Sequence, residues 1–147
     1  MSIRGLAFVL AAVALTAATA VVLGATQNCA ELNRKVRAQS ASIDVIAGNG
    51  VREGAAYAAV PDGAARIREA GLTRIEYRSQ GILLGVDYLS PDGLPWRRDI
   101  HMEGKVRARE YFTQGRVAQS EVLADDDSPI CQERIGPLVP LPGGSRY

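Results

Sequence analysis

Between residues 79 and 116 the chain repeats one kind of break. "SQG", "PDG", "MEG" and "TQG" end at Gly81, Gly93, Gly104 and Gly115, at intervals of 12, 11 and 11 residues. A tight hairpin turn needs positive φ, which glycine reaches without the Cβ clash that other residues meet. The runs between these glycines are strand-length and alternate in polarity. Ile75 and Tyr77 alternate with Arg74, Glu76 and Arg78, and Ile82, Leu84, Val86 and Tyr88 share a face. Leu83 and Leu89 make the other side of that run apolar as well, as in a central strand. The spacing therefore predicts an antiparallel meander of five strands, near 73–79, 82–90, 95–103, 105–113 and 116–123.

The flanking segments read differently. "NCAELNRKVRAQ" looks like a helix start, with Asn28 as cap, Glu31 three residues on, and Leu32 and Val36 at helical spacing. Gly48, Gly50 and Gly54 break any long element after it, leaving room for a short strand through Ile43 to Ile46. "DGAARIREAG" reads as a second helix, capped by Asp62 and closed by Gly71. From residue 129 onward Pro129, Pro137, Pro140 and Pro142 favour extended, polyproline-like backbone that does not continue a sheet. The expected fold class is α+β: an N-terminal apolar helix, then a small domain with one or two helices on a five-stranded antiparallel meander. The expected organisation is 1–25 as signal peptide or transmembrane anchor, 26–128 as the α+β domain, and 129–147 as the proline-rich tail.

Residues 5–25 carry no charge and follow Arg4, a length close to the ~20 residues that span a bilayer as a helix. The same stretch holds Ala18-Thr19-Ala20, a small-x-small pattern of the kind cut by signal peptidase. Retention gives a tethered domain and cleavage near Ala20 a free one. The two cysteines, Cys29 and Cys131, lie outside this run and in no CxxC pair, so a disulfide in an oxidising compartment is the expected state. Arg4 is the only charge in the first 25 residues. The rest therefore balances 16 Lys/Arg against 16 Asp/Glu, which argues against a nucleic-acid partner.

One stretch concentrates the candidate chemistry. "PWRRDIHMEG" (95–104) holds the only histidine. On a strand, Arg97, Asp99, His101 and Glu103 share one face, about 6.5–7 Å apart in steps of two. Asp99, His101 and Glu103 are the candidate metal or acid–base set, yet no second histidine exists to complete a two-histidine iron site. The opposite alternation, Trp96, Arg98, Ile100 and Met102, suits a core and turns the polar trio outward, where Arg107 and Arg109 on the next strand would pair with the acids. "DDD" at 125–127 lacks the spacing of a calcium loop, "GNGVREG" at 48–54 lacks a P-loop lysine, and "PLVP" at 137–140 matches a groove-ligand spacing. No catalytic set or cofactor site is expected. The expectation is a non-enzymatic accessory subunit on the outer face of an inner membrane, held there by residues 5–25 beside a protein partner. The alternatives are a secreted binder or inhibitor freed near Ala20, and a small metal-assisted enzyme using Asp99, His101 and Glu103.

Overall fold

A computed structural model of the chain describes residues 29–54 and 62–138. Residues 29–48 form a helix, α1. Eight strands follow: β1 (Val51–Gly54), β2 (Gly63–Glu69), β3 (Leu72–Ser79), β4 (Ile82–Leu89), β5 (Pro95–Met102), β6 (Lys105–Thr113), β7 (Arg116–Leu123) and β8 (Pro129–Arg134). They make one sheet in chain order, antiparallel throughout except for the parallel β1–β2 pair. This mixed, eight-stranded, mostly β architecture overturns the expectation of a five-stranded meander with one or two helices.

The short strand β1 was not expected, and three local misreadings account for the rest of the difference. The segment 62–71 is not a helix; Gly63–Glu69 is strand β2. Gly71 does not close a helix. Ala70 (φ 52°) and Gly71 (φ 77°) form a two-residue turn of the same kind as Gln80–Gly81, Glu103–Gly104 and Gln114–Gly115, each with both residues at positive φ. A helix-terminal glycine and a hairpin glycine need the same backbone region, so the residue alone does not separate them. The tail also enters the sheet, as β8. Its proline is tolerated because Pro129 is the first residue of an edge strand, where the missing N–H costs no interior hydrogen bond. In the turn before β8, Asp127 (φ 66°) takes the role glycine plays elsewhere. Finally, Ile43 to Ile46 belongs to α1 and not to a strand.

From Val36 to Asp44, α1 packs across one face of the sheet, and its contacts run from the last strands towards the first. Arg37 pairs with Glu133 of β8 at 2.6 Å, Ser40 reaches Glu110 of β6, and Ile43 lies against Gly85 of β4. Gly85 is required there: a Cβ would sit 2.6 Å from Ile43 Cδ1 and 2.9 Å from the Asp99 carbonyl oxygen. Cross-strand neighbours build the core as a row: Ala64, Tyr77, Gly85, Ile100, Ala108, Val122 and Cys131. Ile43, Ile100 and Ala108 are fully buried. Cys29 and Cys131 are disulfide-bonded.

A polar knot sits inside this apolar layer. Arg98 donates from Nε and Nη2 to both carboxylate oxygens of Asp87 (2.6 and 3.0 Å), and from Nη1 to Ser40 Oγ (3.0 Å) and Asp44 (2.8 Å). Tyr77 donates to Asp87 at 2.8 Å and Ser40 to Glu110 at 2.5 Å. Burial opposes the charge on Arg98, but the carboxylates of Asp87 and Asp44 outweigh it and hold the guanidinium protonated. Burial pushes the carboxyl of Glu110 up, against the Ser40 hydrogen bond and Arg98. The alternation thus put Arg98 on the core face correctly, where it links helix to sheet.

Candidate functional site

The face turned away from α1 carries the concentration of charge. Pairing registers align its side chains in two rows that run across the strands. One reads Arg74, Tyr88, Arg97, Tyr111, Gln119 and Arg134, from β3 to β8. The adjacent row reads Glu76, Val86, Asp99, Arg109, Glu121 and Gln132. In the first row arginine and tyrosine alternate, one per strand, through β3 to β6. The Arg97 guanidinium lies 4.3 Å from the Tyr88 ring centre and 5.1 Å from that of Trp96, and the two rings are tilted 6.4 Å apart. A planar, weakly hydrated guanidinium stacks well on such faces while its N–H groups point at a planar anion.

In the second row each acid is shared. Glu76 accepts from Arg74 (3.0 Å) and Arg78 (2.6 Å), and Asp99 lies 3.0 Å from Arg97 Nε and 3.5 Å from Arg109 Nε. Those two contacts to Asp99 Oδ1 are charge contacts without hydrogen-bond alignment; the aligned bond is Arg97 Nη2 to Oδ2, at 3.3 Å. Burial raises the Asp99 carboxyl above its ordinary value despite Arg97, Arg109 and His101. Burial also opposes the charge on Glu76, yet hydrogen bonds from Arg78 and Arg74 win and lower it. Glu121 accepts from Gln119 (3.2 Å), Gln132 and Tyr111 (both 3.4 Å). Counting Arg78, and Glu69, which pairs with Arg74 at 3.1 Å, this face sets five arginines against four carboxylates.

The candidate set from 95–104 is distributed as follows. Asp99 and His101 do share this face with Arg97. Asp99 is only 5 % exposed, however, so the expectation of a solvated acid there is corrected: Arg97 and Arg109 close over it. His101 is half-buried, and burial lowers its proton affinity against the pull of Asp99 and Glu76. Glu103 sits in the hairpin turn at φ 57° and pairs with Arg107 at 3.1 Å, away from the other two. Among the described residues no three His, Cys, Asp or Glu side chains group as a metal centre. Asp125 is held by Lys105 and Arg107, while Asp126 accepts from Ser128. Residues 5–25 and the second half of the 137–140 motif lie outside the described residues.

The arginine–tyrosine row was missed in the sequence because register arithmetic fails across bulges. Counting outward from the Glu103–Gly104 turn pairs Met102 with Lys105 and would set Arg97 opposite Glu110. The shift between Ile100 and His101 sets it opposite Tyr111 instead. Set against known proteins, the chain matches no family model, no curated protein and no solved structure.

Proposed function

We propose that this chain is a non-enzymatic interaction module that displays the arginine–tyrosine face of its sheet to a protein partner, on the outer side of an inner membrane. The observation that carries this reading is the row Arg74–Tyr88–Arg97–Tyr111 on the face that α1 does not cover. Tyrosine, tryptophan and arginine are the residues that dominate binding energy where proteins meet. Two sequence features supply the setting. The uncharged run 5–25 is long enough to tether the domain, and the Cys29–Cys131 bond suits an oxidising compartment. A secreted form cut after Ala20 would differ in its tether and not in its face.

Extraction of membranes in mild detergent without reductant, followed by native electrophoresis and intact-mass measurement, tests the reading. The expected result is a full-length chain that gains two hydrogens on reduction and migrates in a complex larger than itself. A mass starting at Val21 in the soluble fraction would replace the tethered module with the secreted one. A lone, unassociated full-length chain would remove the partner.

A further inference from the structure

We infer that the arginine–tyrosine row is a strip for an extended acidic segment of a partner protein, one with a carboxylate at every third residue in a polyproline-II-like backbone; this deepens the interaction reading above and rests on it. The charge of the strip is the first reason. Arg97 and Arg109 share the single carboxylate of Asp99, so that trio keeps one surplus positive charge; Arg74 and Arg78 share Glu76, and Arg74 also pairs with Glu69 at 3.1 Å, which balances that cluster. The Nη groups of Arg109 have no hydrogen-bond partner among the described residues, and Arg97 uses only Nε and Nη2, both on Asp99. Each guanidinium thus presents donors in the geometry that carboxylates accept two at a time.

Spacing is the second reason. Arg74 and Arg97 stand on β3 and β5, two strands apart, which at the usual strand separation is about 9.5 Å. A polyproline-II chain returns to the same side every third residue after about 9.3 Å. Two acids three positions apart therefore meet Arg74 and Arg97, the two arginines of the row at this spacing, while the residues between and beyond lie over Tyr88 and Tyr111. The carboxylates of Glu76 and Asp99 fall in the neighbouring row and are bypassed. A membrane surface or a nucleic acid presents phosphate too densely to avoid those acids. The cations are also all arginine and partly withdrawn, with side-chain exposures of 24 % for Arg74 and Arg97 and 31 % for Arg109, unlike the protruding lysines that suit a lipid surface.

Trp96 is the only tryptophan in the chain and touches the Arg97 guanidinium, so its fluorescence reports occupancy of the strip. The disulfide-intact full chain is titrated with a four-repeat Glu-Pro-Pro peptide. Controls are the Gln-Pro-Pro analogue, a peptide of the same composition with its glutamates clustered, oligo(dT), and vesicles of phosphatidylglycerol and phosphatidylethanolamine. Saturable binding by the Glu-Pro-Pro repeat is expected, weakened about tenfold by Arg74→Gln or Arg97→Gln, since each removes a hydrogen bond between charged groups. Asp99→Asn removes the competing carboxylate and should tighten binding several-fold, a gain that loss of folding does not mimic. Equal binding of the glutamine or clustered peptide, or tighter binding of oligo(dT) or vesicles, overturns the inference. If a partner complex isolated from membranes survives both arginine substitutions, the strip fails and the interaction reading stands. If the peptide binds as expected but no complex exists, that reading fails and the chemistry of the strip stands.

Discussion

Replacing Arg98 by methionine tests the polar knot most directly. The methionine fills much the same volume but takes away the donors that hold Asp87, Asp44 and Ser40 together. Asp87 is 3 % exposed and keeps only the Tyr77 hydroxyl as a donor among these groups. Removing one partner of a buried ion pair costs about 3–5 kcal/mol, chiefly because the remaining charge stays desolvated. In a domain of this size about 4 kcal/mol lowers the melting temperature by roughly 15–20 °C. Urea unfolding followed through Trp96 measures it. The double variant Arg98→Met, Asp87→Leu should recover most of the loss, since well-packed apolar replacements of buried pairs are often neutral. A loss under about 1 kcal/mol for Arg98→Met, or a double variant no more stable than the single one, would show that the knot does not hold α1 to the sheet.

Three further outcomes are expected. Gly85→Ala should cost about 1–3 kcal/mol, because its methyl group meets Ile43 Cδ1 and the Asp99 carbonyl; Ile43→Val, which lacks that Cδ1, should regain part of the loss in the same urea assay, and additive losses would refute the clash. Ala70→Asn should stabilise by about 0.5–1 kcal/mol, because alanine at φ 52° is strained where asparagine is tolerated; a lower melting temperature would contradict the turn assignment. His101 binds its proton less tightly in the fold than its ordinary 6.5. Its contribution is therefore complete above about pH 6.5 and is lost as pH falls through the lower folded value. The raised carboxyls Asp99 and Glu110 act with the opposite sign nearby, so the comparison is with His101→Gln: between about pH 7.5 and pH 5 the variant should lose less stability than the parent, and an equal loss would assign the pH response elsewhere.

How far the sequence carried depends on distance along the chain. The positions of β3 to β7 follow from residue-level chemistry, because an X-Gly turn and the period-two runs beside it are local. Gly71 was ambiguous for an equally local reason. The alternation of Ala65 and Ile67 with Arg66 and Arg68 was the signal that resolves it as a strand boundary. The faces of β5 were legible too, since Ile100 and Arg98 lie towards α1 and Asp99 and His101 away. What those faces meet was not. The partners of Arg98 on α1 lie 54 and 58 residues away, and nothing near "WRRD" announces them. The closure of Arg97 and Arg109 over Asp99, and the alignment of Arg74 with Tyr88 and Tyr111, depend on one-residue register shifts that leave no local mark.

The chain-order topology also fixes a sequence of events. From β2 to β8 every strand pairs with the one just made, across a short turn, so sheet assembly needs little loop-closure entropy and low contact order favours its speed. The helix is different. It is the first described element in the chain, yet its seat on Glu110 and Glu133 exists only once β6 and β8 are in place. The contacts of α1 with β8, such as Arg37–Glu133, span 96 residues and can form only when that last strand is in place.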